Sequence, residues 1–141
     1  MAKSSAFANS VLLLFFNATP IADLAADDQS SPVTTLTVGL HTATPDVGGS
    51  MATNETAYTN YVRKTVARTS GGWTVSGASV SPAANIDFAE CGATPGAAIT
   101  HFSVGTGVSN QVMYFGTITP NITMATGVIP RVKTTSAITE S

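Results

Sequence analysis

The sequence predicts an all-β fold: a jelly-roll-like antiparallel β-sandwich preceded by a short N-terminal helix. Three observations carry this. From Val33 onward apolar and polar residues alternate with a period of two, the mark of a half-buried strand. Gly- and Pro-rich turns interrupt the alternation at short, regular intervals, as in sandwiches and barrels. Charged residues make up 10% of the chain, against roughly 25% in ordinary soluble domains. Thr, Ser, Asn and Gly take their place, and Thr packs well on a pleated surface.

The elements follow in order. Phe7, Val11, Leu14 and Phe15 fall at i, i+4, i+7 and i+8, one face of a helix, with Ser4 or Ser5 as N-cap. Leu12, Leu13 and Phe16 point away from that face, so the helix is apolar on more than one side and needs more than one surface to cover it. One face is expected on the protein's own sandwich and the other on a neighbouring subunit or the shell protein; the alternative is a groove of its own domain that covers both sides. Ile21 to Ala25 allows one further helical turn, and the acidic linker Ala26–Pro32 closes the segment. This places a helix and linker at 1–32 and a sandwich at 33–141 within a single domain. Strands are expected at Leu36–Thr42, Tyr58–Thr69, Trp73–Ser76, Asn85–Ala89, Ala98–Val104, Val112–Thr119, Ile122–Met124 and Val128–Lys133. Gly71-Gly72 between two alternating runs predicts a hairpin turn. The apolar phase of the strands predicts a core of Leu36, Val38, Leu40, Tyr61, Trp73, Val75, Phe88, Phe102, Val104 and Phe115.

Composition also excludes functions. The net charge is −2, and no basic stripe is present to neutralise phosphates, so no nucleic-acid partner is expected. The apolar run Val11–Phe16 falls far short of the ~20 residues that span a bilayer, so no membrane partner is expected either. Preceded by Lys3, that run faintly resembles a signal peptide, the alternative to a docked helix. Cys91 is the single cysteine, and one cysteine forms no internal disulfide. The Asn-X-Thr triplets at Asn17, Asn54 and Asn121 are ordinary in a Thr-rich chain.

No catalytic motif appears, and no cofactor is expected. His41 and His101 each sit in an alternating strand and can meet across a sheet, but no third metal ligand has recognisable spacing. Cys91 with a histidine only imitates a nucleophile–base pair. Asp87 and Glu90, three residues apart, are expected on opposite faces and do not make a carboxylate pair. Asp46 and Glu55 flank a long turn-rich loop and could offer oxygen ligands to calcium, a weak site, while Asp27-Asp28 is denser in acid but lies in a linker. Trp73, Tyr58, Tyr61 and Phe102 read as core before they read as a carbohydrate platform. No catalytic or metal site is therefore assigned. The candidate interaction residues are Phe7, Val11, Leu12, Leu13, Leu14, Phe15 and Phe16 of the helix, with Thr44, Pro45, Asp46 and Asn54 of the loop.

Several segments carry a family likeness. They are Leu40-His41-Thr42-Ala43-Thr44-Pro45, the stretch from Ala52-Thr53-Asn54-Glu55 through Tyr58-Thr59-Asn60-Tyr61-Val62-Arg63, then Ala67-Arg68-Thr69-Ser70-Gly71-Gly72-Trp73-Thr74-Val75-Ser76-Gly77, and Ile99-Thr100-His101-Phe102-Ser103-Val104-Gly105. With the N-terminal helix and Thr119-Pro120-Asn121-Ile122, they resemble small virion proteins of tailed phages, variously called tail-fibre, head-fibre or capsid decoration (cement) proteins. The chain departs from the pattern at Thr44, where Asp is commoner. The resemblance implies a structural, non-enzymatic role in the virion, with assembly in the host cytoplasm. Two arguments favour a decoration protein that coats and stabilises the head shell. The chain is short for a tail fibre, and it has the size of one jelly-roll module, many copies of which reinforce a shell by multivalency. The alternative is a tail-fibre or tail-associated protein contacting the host surface. The expected partners are further copies of itself, a trimer in preference to a dimer, and the major capsid protein or other virion subunits.

Overall fold

The period change in the sequence marks a real change of structure. The computed structural model describes residues 3–27 and 31–140. One helix, α1 (Ser5–Asn17), precedes nine strands: β1 (Thr35–His41), β2 (Lys64–Ala67), β3 (Trp73–Ser76), β4 (Ser79–Pro82), β5 (Ile86–Asp87), β6 (Ile99–Gly105), β7 (Val112–Ile122), β8 (Arg131–Val132) and β9 (Ile138–Thr139). The fold is all-β and antiparallel, sandwich-like in class, with a short N-terminal helix. Its strand orders are β2-β1-β6-β7, β3-β4-β9 and β5-β8. These sheets of four, three and two strands lend no support to the paired four-stranded sheets of a jelly roll.

The chain divides into two compact units, each assembled from separated segments. The first holds residues 1–35, 66–85 and 132–141. Here α1 starts at Ser4, whose side chain accepts a hydrogen bond from Phe7 N at 3.3 Å. It stops at Ala18, which turns left-handed at φ 53°, and Thr19 N closes the end on Leu13 O at 3.1 Å. Ala8, Leu12 and Phe16, spaced i, i+4 and i+8, are its buried stripe. The helix packs on β3 and β4, and the Phe16 ring meets Trp73 edge-on, centroids 4.9 Å apart at 70°. Asn9 Nδ2 donates to Gly77 O at 2.8 Å, and Lys3 pairs with Glu140. Arg68 closes the other end of the helix. Its guanidinium donates to Leu14 O and Phe15 O, both at 2.8 Å, to Val33 O at 3.2 Å and to Asp27 Oδ1 at 2.9 Å. The Leu14 and Phe15 carbonyls belong to the last turn, where a helix leaves its acceptors unpaired and its dipole favours a cation.

The second unit holds residues 36–65 and 86–131. Its sheet pairs β1 with β6 in the register Val38↔Val104, Leu40↔Phe102 and His41↔His101. Leu36, Val38, Leu40, Ile99 and Val104 form its core. Gly39 and Gly105 leave room for Met51. A Cβ on Gly105 would lie 2.6 Å from Met51 Sδ, and one on Gly39 would lie 3.3 Å from Met51 Cε. Neither glycine is a turn residue. Each is a notch in a strand through which a covering loop reaches the sheet.

Several expectations need correction. The strand expected at Tyr58–Thr69 is realised only over Lys64–Ala67, because Asn60 takes φ 79° and Tyr61 N folds back onto Tyr58 O at 2.9 Å. Gly71-Gly72 does not link a hairpin. Gly72 N and Trp73 N both bond to Thr69 O, and β3 pairs instead with β4, missed from sequence, through the two-residue turn Gly77-Ala78. Gly77 supplies the positive φ, 59°, that this turn requires. β9 was also not expected. Phe115, placed in the core by its phase, is 38% exposed. Tyr61, Val75 and Phe102 are only half-buried. The further helical turn expected at Ile21–Ala25 is instead a tight turn, in which Ile21 and Ala25 form an antiparallel bridge and Asp23 takes φ 58°.

Candidate interaction sites

The helix shows two apolar faces, as its sequence requires. Leu12 and Phe16 are fully buried, so they belong to the core of their own unit. Phe7 and Phe15 are exposed, at 40% and 41%, and Val11, Leu13 and Leu14 are half-buried between them. Ser5–Asn17 contains no charged residue. The outward row is therefore Phe7, Val11, Leu14 and Phe15, and the inward row is the one led by Leu12 and Phe16. Of the linker, Asp27 is engaged by Arg68, and Asp28 lies outside the described residues.

The loop residues converge in the second unit. Asn54 Nδ2 donates to Thr44 O at 2.8 Å, and Thr42 N donates to Asn54 O at 2.9 Å. Thr44 Oγ1 accepts from Asp46 N at 3.1 Å, and Asp46 Oδ1 accepts from Val47 N at 2.8 Å. Asp46 and Asn54 adopt φ 66° and 52°, which short polar side chains tolerate through such local bonds. Pro45 is buried beneath the loop, and Val47 stands at its tip, 91% exposed. Thr44, Asp46 and Asn54 thus form one exposed cluster around a buried proline.

Beside this loop lies a feature the sequence reading missed. Glu55, Tyr58, Asn60, Tyr61, Val62 and Arg63 line an open cleft of about 560 Å³. Arg63 grips Glu55 with two bonds, Nε to Oε1 and an NH2 nitrogen to Oε2, both at 2.6 Å. Its remaining arm reaches Asn110 Oδ1 at 2.6 Å. Tyr61 OH donates to Glu55 Oε1 at 2.9 Å and accepts from Leu40 N at 3.0 Å. Such fork-on-carboxylate geometry is rigid and strong. It raises the Arg63 pKa, mainly through the bond to Glu55. Burial, followed by the field of Cys91, pushes the Tyr58 hydroxyl up to about 12, and burial raises Tyr61 as well. The network ties the turn before β2 to the loop before β7. Its only signal in the sequence was a pair of opposite charges flanking an aromatic turn.

The histidines do meet in register, yet each is committed elsewhere. His41 is fully buried, with Nδ1 2.9 Å from Thr53 O and Nε2 2.7 Å from Ser103 Oγ. Thr53 O can only accept, so Nδ1 carries the proton and Nε2 accepts from Ser103. This is the hydrogen-bond pattern of a nucleophile and its base, sealed from solvent on both sides. Burial lowers the His41 pKa. His101 bonds to Thr100 Oγ1 at 2.7 Å. No group of three metal-binding side chains occurs among the described residues. Of the two calcium candidates, Glu55 is occupied by Arg63 and Asp46 Oδ1 accepts from Val47 N. Asp87 is held by Arg131, not by Glu90, and that bond lowers its pKa. Trp73, at 1% exposure, offers no platform to a sugar. Cys91 is buried, its thiol 3.5 Å from Gly92 O.

Compared with models of protein families, residues 5–139 match the family described as podophage GP4 fiber I protein gp80. No curated protein matches the chain.

Proposed function

The chain belongs to the podophage GP4 fiber I protein family, and from that premise we propose that it is a tail-fibre or tail-associated subunit contacting the host surface. Membership makes it a structural protein of the phage virion. The observation that carries the finer reading is the extent of the match, which takes in α1 and all nine strands. The fibre description thus applies to this fold as a whole, and it favours a fibre over the shell-coating role expected from chain length. The role is non-enzymatic, and assembly takes place in the host cytoplasm, from copies of this chain and other virion subunits. Two surfaces are suited to contact: the exposed cluster of Thr44, Asp46 and Asn54, and the outward row of α1. The loop cluster, held by its own hydrogen bonds, is pre-ordered and so loses little entropy on binding.

Copy number tests this. Quantitative mass spectrometry of purified particles should count a few to tens of copies, and antibody labelling should place them at the tail. Hundreds of copies spread over the head would overturn the fibre reading in favour of shell decoration.

A further inference from the structure

We propose that the cleft lined by Glu55, Asn60, Tyr61, Val62 and Arg63 binds a neutral saccharide. At about 560 Å³ it falls within the roughly 300–1,000 Å³ of small-molecule sites. Glu55 and Arg63 answer each other's charge through two bonds of 2.6 Å. An anionic ligand would have to displace Glu55 from Arg63, and a cationic one would have to displace Arg63 from Glu55. What the pair leaves over is hydrogen-bonding capacity of both kinds. Arg63 commits three of its N–H groups among the described residues, and a guanidinium has two more to donate. Glu55 Oε2 accepts from Arg63 alone among the described residues, and a carboxylate oxygen can accept a second bond. The Asn60 amide spends its nitrogen on Glu90 O at 3.2 Å, which leaves its oxygen to accept. These groups are within reach of a ligand: the Arg63 and Glu55 side chains are 23% and 19% exposed, and Asn60 is exposed.

A sugar hydroxyl donates and accepts at one atom, so a row of hydroxyls suits donors and acceptors set side by side. An apolar peptide side chain would cover the same groups and leave them unpaired, at a cost in affinity. A sugar ring also carries C–H groups, which need an apolar patch. Val62, 65% exposed, and the half-buried ring of Tyr61 supply it. That ring is fixed by stacking on Phe88, centroids 6.1 Å apart at 14°, and by the edge of Tyr58 at 5.4 Å and 62°. The polar groups are fixed as well, Arg63 by Glu55 and Asn110, and Asn60 by Glu90. A ligand entering this cleft therefore immobilises few side chains that were free before.

The source of the sugar, polysaccharide on the host surface, rests on the host-contact reading; the cleft and its ligand chemistry do not. Isotope-labelled full chain is titrated with glucose, galactose, N-acetylglucosamine and lactose at millimolar concentration, and with polysaccharide extracted from the host surface, while amide resonances are followed. Shifts should be confined to Glu55–Arg63 and Asn110. Val62→Asp, at an exposed position, should keep the melting temperature and weaken binding by about tenfold or more. Asn60→Gly keeps a residue that tolerates φ 79° but loses the amide, and should weaken binding as much. No shift with any probe, or shifts outside the cleft, would overturn the proposal. A preference for glucuronate over the neutral sugars would overturn the neutral ligand. Polysaccharide binding that survives periodate, which cleaves vicinal diols, would assign the contact to co-extracted protein or lipid instead. Saccharide binding by a protein that particle counts place on the head would overturn the fibre and leave the cleft standing, so the two readings fail separately.

Discussion

Arg68 reaches four oxygens in a chain that has 6 Lys and Arg in total. Replacing it with Met keeps the aliphatic stem but strands two helix-end carbonyls and the Asp27 carboxylate. A hydrogen bond to a charged group is worth about 1.5–3 kcal/mol, and the freed oxygens are part-buried or exposed, so water re-pairs most of them; Arg68→Met should therefore destabilise by about 1.5–3 kcal/mol in all in denaturant titration. Trp73→Ala removes the ring against which Phe16 packs, and should cost about 3–5 kcal/mol. An unchanged melting temperature would contradict its enclosure. His41 gives a pH dependence. Its folded pKa lies below the ordinary 6.5 because burial disfavours the cation, with Glu55, Arg63 and His101 the charged groups around it. Below that ordinary value the unfolded chain binds a proton that the folded chain refuses. The stability held above it is therefore lost as pH falls through 6.5 toward the folded pKa. A melting temperature that stays level from roughly pH 8 to pH 5 would show that His41 does not titrate against folding.

At the level of elements, α1 was the most legible part of the sequence. Its spacing, its capping serine and its two-sided hydrophobicity were all visible. Which side faces inward was not, because Phe7-Val11-Leu14-Phe15 and Ala8-Leu12-Phe16 are both helical rows, and the decision belongs to Trp73, a partner remote in sequence. β1, β3, β6 and β7 were legible because alternation and turn residues agreed. β4 and β9 were not, since Ser79–Pro82 and Ile138–Thr139 are too short to show a period. The Glu55–Arg63 network was hidden for the opposite reason. Tyr58–Arg63 alternates like a strand, and only the backbone turn at Asn60 brings its charged and aromatic groups together. Deleting residues 1–25 removes the cover of Trp73 and two of the four acceptors of Arg68, Leu14 O and Phe15 O, and should unfold the surrounding unit. Phe7→Ser with Phe15→Ser, by contrast, alters only the outward row and should leave circular dichroism and melting temperature unchanged. If that row docks on another virion subunit, incorporation into particles should fall. Unaltered incorporation would assign attachment to the loops around Thr44 to Asn54.

The scarcity of charge sets the behaviour of the whole molecule. There are 6 Lys and Arg and 8 Asp and Glu. Four of the cations lie in ion pairs within the chain: Lys3–Glu140, Arg63–Glu55, Arg68–Asp27 and Arg131–Asp87. Their fields are largely answered locally, and little charge remains to steer or bind a partner over distance. The exposed Phe7, Phe15, Val47 and Phe115 offer apolar surface instead, and apolar burial is not screened by ions. The protein should therefore stay on intact particles when ionic strength rises from about 0.1 M to 1 M, over which the Debye length shrinks from about 10 Å to 3 Å. Moderate urea, which solvates apolar and peptide groups, should release it before the particle itself comes apart. Sedimenting particles through each condition and measuring the protein left in the pellet separates the two forces. Loss in salt, with retention in urea, would mean that the few remaining charges, not the apolar surfaces, hold the protein in place.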